Sequence, residues 1–273
     1  MKEFRPLGNT LFPPVVKNLL IINGIMFFAT YAFQSRIDLT EYLALYYFGS
    51  PKFKIWQLVT HLFMHANLMH LFSNMFALWM FGAIIENFMG SKRFLQYYLL
   101  TGIFASVLFM GVQYLQINPV KQHAEIYEAN PNYKAFDDFV TNDVDQYNQP
   151  QYNDMLSYYQ KHQDDPEAKK ETVKAVNFYA ASKMDSATLG ASGAVFGILL
   201  AFGMLFPNVL IYIYFFFPMK AKYLVILYGA FELYNGVANN PGDNVAHFAH
   251  LGGMLIGFIL LKIWHIKRPG QFG

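Results

Sequence analysis

ATLGASGAVFGILLAFGMLF, residues 187–206, is apolar almost throughout, yet Ser192 stands in it with Gly190 and Gly193 close on either side. A stretch of this kind reads as a helix buried in an apolar surrounding. Its hydroxyl is either a small packing group or a nucleophile at membrane depth, and the rest of the chain bears on which.

As a soluble protein, 273 residues would make one large domain or two small ones. A content of 55% hydrophobic and 18% aromatic residues with 14% charged argues against solubility. Several apolar runs reach the ~20 residues that a helix needs to cross a bilayer. The first, VVKNLLIINGIMFFATYAF at 15–33, has signal-peptide character. No small-residue cleavage site follows it and further spans do, so it reads as a retained helix. Six spans are expected, near 15–34, 67–88, 94–115, 188–206, 222–238 and 245–264. With no cysteine in the chain, disulfides and thiolate chemistry are excluded.

Residues 117–186 are of another kind, rich in Tyr, Asn, Gln and Asp, with 12 of the 18 acidic residues against 7 basic ones. They read as a solvated insertion between the membrane core segments 15–116 and 187–264, folded as a small helical subdomain. Short tails, 1–14 and 265–273, flank the whole. FPNVLIYIYFFFP at 206–218 is too short to cross twice and reads as an interfacial or re-entrant connection. Orientation follows from the basic residues near the span ends. Lys2, Arg5, Lys17, Lys92, Arg93, Lys220, Lys222, Lys262, Lys267 and Arg268 all fall on one side, which places both termini in the cytoplasm. The second, fourth and sixth spans then begin at the outer face, and the insertion is extracytoplasmic.

Polar side chains at membrane depth are costly and tend to line aqueous cavities. In THLFMHANLMHLFSNMFALWMFG, His61 and His65 precede the second span, Asn67 is placed to cap it, and His70 and Asn74 share a face at i and i+4. Ser192 is expected about one turn into the fourth span and His250 about one turn into the sixth. Any one of these reads singly as an interhelical hydrogen bond. Together they supply a nucleophile, a base and two donors, the set that acyl transfer needs.

Gly193 and Gly197 in the fourth span, and Gly253 and Gly257 in the sixth, each form G-x-x-x-G, a spacing that lets backbones approach closely. His250 lies on the same face as Gly253 and Gly257, so a close contact of the two spans brings it to Ser192. His247, nearly a turn higher, is expected at the outer boundary and not as the base. The backbone N–H of Ser192 with the side chains of His70 and Asn74 forms a candidate oxyanion hole.

G-A-S-G at 190–193, A-H-x-x-G-x-x-x-G at 249–257 and H-x-x-x-N at 70–74 together resemble the rhomboid family of intramembrane serine proteases. The likeness covers about 50–116 and 186–264. It implies an all-α, six-helix membrane bundle and a Ser192–His250 dyad without aspartate that cleaves transmembrane helices of other proteins. It implies no cofactor and no metal. Partners would be transmembrane protein substrates and the lipid bilayer, not nucleic acid, and the location a bacterial inner (plasma) membrane. Glu86, Gly90 and Phe196 also fit the resemblance, the last as an aromatic stacked on the histidine. One departure is that Trp56 is followed by Gln57, where many members carry arginine.

Two other readings compete. One is a catalytically inactive relative that binds membrane proteins. The other is a metal-dependent membrane protein using His61, His65, His70, His247 and His250; against it, no H-E-x-x-H occurs and no carboxylate is expected near the cluster. A soluble hydrolase would want G-x-S-x-G, and position 194 is Ala. NGVANNPGDN at 235–244, rich in Gly, Asn and Pro, is the candidate for a moving cap over the site.

Overall fold

The structure, a computed structural model, describes residues 10–213, 216–238 and 246–269. The proposed cap loop lies largely outside the described residues. Helix α1 (Pro14–Phe33) leads through α2 (Leu39–Leu43) and α3 (Gln57–Thr60) to a short 3-10 turn at His61–Phe63. Helices α4 (Leu68–Ala77) and α5 (Ala83–Met89), joined by a π turn at Leu78–Gly82, form one rod. Then come α6 (Ser91–Ala129), α7 (Tyr133–Asn142), α8 (Gln149–Lys161), α9 (Pro166–Met184) and α10 (Ser192–Leu205). A β-hairpin, β1 (Leu210–Ile213) with β2 (Phe217–Lys220), precedes α11 (Ala221–Ala238) and α12 (His247–Ile263).

Three helices, Pro14–Phe33, Leu68–Met89 and Ser91–Ala129, are long and apolar enough to cross a membrane. Their outer faces, with Ile25 and Phe28 on α1 and Met69 and Phe72 on α4, are exposed, as are Phe231 and Leu233 on α11. A water-soluble surface rarely carries a patch of that extent. Inside, Leu78, Phe81, Ile85, Phe94, Ala194, Ile198 and Phe202 belong to one apolar cluster drawn from the first and last helices alike.

Helix α6 runs past residue 117, where the composition changes, without a break, and contains Pro119. Its 39 residues extend about 58 Å at 1.5 Å each, roughly twice the hydrocarbon thickness of a bilayer. The C-terminal part of α6 joins α7, α8 and α9 around a separate cluster that includes Tyr127, Phe136, Phe139, Tyr152, Tyr159 and Tyr179. The polar stretch is therefore helical. Asn132 caps α7 through the amide of Ala135, and Asp165, followed by Pro166, caps α9 through the amide of Glu167.

The connection at 206–218 contributes to a two-stranded sheet. Leu210 pairs with Lys220 and Tyr212 with Pro218 in an antiparallel hairpin. The alternating β-branched and aromatic residues of LIYI account for the strand, and a proline that cannot donate sits at ease on a two-stranded edge.

Candidate active site

Helices α10 and α12 meet along their glycines. A Cβ on Gly253 would overlap the carbonyl of Gly193, and one on Gly197 would come within 3.1 Å of the Gly253 carbonyl. Helix α6 closes the third side. There the Tyr97 hydroxyl donates to the Gly197 carbonyl at 2.8 Å, in the space that a side chain at Gly257 would need. No larger residue fits these crossings, so sequence spacing here becomes interhelical distance.

At the upper end of that seam Ser192 Oγ and His250 Nε2 lie 2.8 Å apart. The ring of Phe196, one turn further along α10, stacks on His250 with centroids 4.2 Å apart and planes 6° from parallel. Ser192 is the first residue of α10, not one turn inside a helix that starts near 188. The reason is Gly190, whose φ of 128° lies where side chains are strained. Its Cβ would also sit 2.8 Å from the His70 ring. Residues before Ser192 are held on two sides instead. Leu45 and Thr188 exchange backbone hydrogen bonds of 2.8 and 2.7 Å, and the Gly190 amide donates to the His61 carbonyl at 3.0 Å. Ser192 thus occupies the end of α10 where backbone N–H groups have no partner within the helix.

Asn67 caps α4 by accepting from the His70 amide at 2.9 Å. The His70 ring accepts at Nδ1 from the Ala66 amide at 3.4 Å, so in the neutral ring Nε2 carries the proton. That nitrogen is the one beside Gly190, on the side where Ser192 Oγ lies. Asn74 is arranged differently. Its Nδ2 donates to the His70 carbonyl at 2.9 Å, leaving one amide hydrogen for any other partner.

A carboxylate absent from the sequence reading enters from α11. Glu232 Oε2 accepts from His247 Nδ1 at 2.7 Å and from His250 Nδ1 at 2.8 Å. Two expectations are corrected by this contact. His247 is buried and turned inward, not a hydrated boundary residue, and a carboxylate does stand at the histidine cluster. The signal was present in the sequence: a lone glutamate in an apolar span is costly unless it has partners.

Among the described residues, Glu232, His247 and His250 are the group whose ligand atoms converge, within 4.8 Å of one another. Ligands about 2.0–2.2 Å from a tetrahedral ion are separated by roughly 3.3–3.6 Å. Contacts of 2.7 and 2.8 Å are shorter than that and match N–H···O hydrogen bonds. His61 is engaged elsewhere, by the Gln57 carbonyl at 2.7 Å. His65 is buried with its ring edge-on to His70 at 5.1 Å.

Gln57 explains the departure after Trp56. Its Oε1 accepts from the amides of Tyr46 and Lys54, and its Nε2 donates to the carbonyls of Tyr42 and Lys52. One neutral amide thus ties together the loop beside the site. Glu86 and Gly90 lie at the opposite end of the rod, where Glu86 caps α1 through the amides of Val15 and Val16 at 3.0 and 2.8 Å.

Residues 52–117 and 172–267 match the family model of the rhomboid domain, more than half of the chain, and the protein belongs to the rhomboid family. The match passes over 118–171, the greater part of the polar stretch. Members of this family are integral membrane proteins and typically intramembrane serine proteases acting on membrane protein substrates.

Proposed function

We propose that this protein is an intramembrane serine endopeptidase that hydrolyses peptide bonds in or near transmembrane helices, with Ser192 as nucleophile and His250 as general base. The observation that carries the reading is the 2.8 Å contact between Ser192 Oγ and His250 Nε2 in a ring clamped by Phe196. His250 takes the hydroxyl proton as Oγ attacks the scissile carbonyl, and the carbonyl π electrons move to oxygen. The Ser192 amide and His70 Nε2–H are placed to receive that oxyanion. On collapse the C–N bond breaks and the amine leaves with the proton from His250; water then frees the acyl group by the same steps. A substrate helix must unwind locally to present its peptide bond, so helix-weakening residues such as Gly and Pro favour cleavage.

The same reading gives six membrane spans, with α10, α11 and α12 joining the three long helices, both termini in the cytoplasm of a bacterial inner membrane, and 117–186 outside. The test uses purified protein and a model transmembrane substrate. Ser192→Ala should insert and fold, since Ala suits a small-residue helix face, and should neither cleave the substrate nor react with a fluorophosphonate. Turnover by that variant would refute the proposal.

A further inference from the structure

Glu232 is a buried carboxylate of the membrane core to which the proposed chemistry gives no task. It is nearly inaccessible on a mostly apolar helix, where an isolated carboxylate is expensive to keep. Two imidazoles of α12, three residues apart on one face, meet a single one of its oxygens. An ionised carboxylate can only accept, so both Nδ1 atoms are donors. A neutral His250 that carries its proton on Nδ1 presents a lone pair at Nε2, and that is the atom facing Ser192 Oγ. The alternative tautomer would turn an Nδ1 lone pair toward the carboxylate and an N–H toward the serine, losing one hydrogen bond and the base at once.

We infer that Glu232 is a positioning residue that fixes His250 in its Nδ1–H tautomer, with His247 holding the carboxylate in place, so that the site works as a serine–histidine–glutamate relay. The inference rests on the Ser192–His250 reading of the site. During attack the serine proton moves to His250 Nε2, the Nδ1 proton stays where it is, and Glu232 remains ionised beside the imidazolium. The carboxylate therefore acts on the reacting atoms only through His250. His247 donates to the same Oε2, which limits the directions that oxygen can take. Among the described residues, the polar groups beside His250 are Glu232 from α11, His247 from α12 and Ser192 from α10, with His70 of α4 close enough to act on it electrostatically. Helix α6 presents Ala105 and Leu108 to the same helix.

A plain interhelical staple would use the same contacts, so the experiment must separate the two roles. With purified full-length protein and a model transmembrane substrate, kcat and KM are measured against pH for the wild type, Glu232→Gln and His247→Ala, with folding checked by thermal unfolding. Replacing the carboxylate partner of a catalytic histidine by its amide lowers kcat about 10⁴-fold in soluble serine proteases. Glu232→Gln should accordingly lower kcat by roughly 10²–10⁴-fold with little change in KM. The imidazolium loses its neighbouring negative charge, so the pH profile of the residual kcat should have an acid limb displaced from that of the wild type. His247→Ala should show a smaller loss with the same acid limb as the wild type. A Glu232→Gln variant that folds and keeps the wild-type kcat, or loses kcat with an unmoved acid limb, reduces Glu232 to a staple. Should Glu232→Gln fail to fold, ¹⁵N-histidine NMR of the Ser192→Ala protein reads the tautomer directly. An Nδ1–H on His250 supports the relay and an Nε2–H overturns it. Wild-type protein that neither cleaves nor labels would refute the protease reading and this inference with it, whereas active wild type with an unimpaired Glu232→Gln variant would refute this inference alone.

Discussion

The membrane core and the polar stretch between α6 and α10 solve the packing of helices in opposite ways. Where α10 crosses α12, contact is made by leaving side chains out: Gly193 meets Gly253, and Gly197 meets Gly257. Around α7, α8 and α9 contact is made by putting large side chains in, with Phe136, Phe139, Tyr127 and Tyr159 almost wholly buried. Lipid is as apolar as leucine, so burying leucine there gains little and close backbone approach must hold the helices. In water the removal of aromatic surface is itself the driving force. Tyrosine suits the second case where its hydroxyl finds a polar partner, as Tyr127 does with Thr172 at 2.7 Å and Tyr152 with the Ala175 carbonyl at 2.8 Å.

The contrast breaks most sharply at Gly253. Its missing side chain is replaced by the Gly193 carbonyl, a backbone group that cannot swing aside. Gly253→Val should therefore separate α10 from α12 and abolish both substrate cleavage and fluorophosphonate labelling of Ser192, read on protein recovered from membranes. Labelling at the wild-type rate would mean that the seam does not set the Ser192–His250 distance.

A smaller loss is expected from the donors. His70→Ala should lower kcat by about 3 kcal/mol, roughly 10²-fold, with KM little changed, because an oxyanion donor acts on the transition state. Asn74→Ala should cost less, since its amide already serves the His70 carbonyl. A raised KM with an unchanged kcat would remove His70 from the oxyanion role.

In the polar region the same kind of truncation should act on stability alone. Phe139 is buried among Tyr179 and its neighbours, and Phe139→Ala should destabilise that region by about 3–5 kcal/mol. Limited proteolysis would report the loss. Labelling of Ser192 should stay within about twofold, since distant independent sites behave additively. A parallel loss of labelling would make the two regions one cooperative unit.

The mildest effect concerns pH. Burial alone would raise the Asp145 carboxyl, but Lys183, the Asn148 amide and the Tyr179 hydroxyl outweigh it and hold it below its usual value of 3.8. A depressed carboxylate contributes stability that is fully present above the ordinary value and is lost as pH falls through the lowered one. The polar region should loosen slightly below about pH 4, and Asp145→Asn should flatten that acid dependence. An unchanged acid limb in the variant would assign the loosening to other carboxylates.

Much of this was legible in sequence because membrane packing writes itself as residue spacing. G-x-x-x-G in two helices, with Ser192 and His250 beside the glycines, encodes a distance, and the structure brings the two side chains to 2.8 Å. Other features carried no such code. Glu232 lies in a helix with no motif around it, and its partners come from another helix. The continuity of α6 was hidden because Asn118 and Pro119 look like a terminus, although a helix leaving the bilayer needs only a change of surface. The hairpin at 210–220 was hidden by composition, since an aromatic run reads as membrane before it reads as strand. Ser192 was placed too deep because a periodic pattern marks a buried stretch and not where the helix begins; Gly190 marks that.

Glu86 has a consequence for how the chain is made. Helix α1 opens with a proline that has no N–H, and its next two amides are satisfied by a carboxylate 71 and 70 residues further along. While α1 is emerging from the ribosome that carboxylate does not yet exist, and the amides of Val15 and Val16 depend on water or lipid headgroups. Only when α5 has been synthesised can the helix end be closed, and Ser91, which donates to Glu86 at 2.6 Å, completes it at the first residue of α6. The order of translation thus allows α1 to close onto the rod of α4 and α5 before α10 and α12 have left the ribosome.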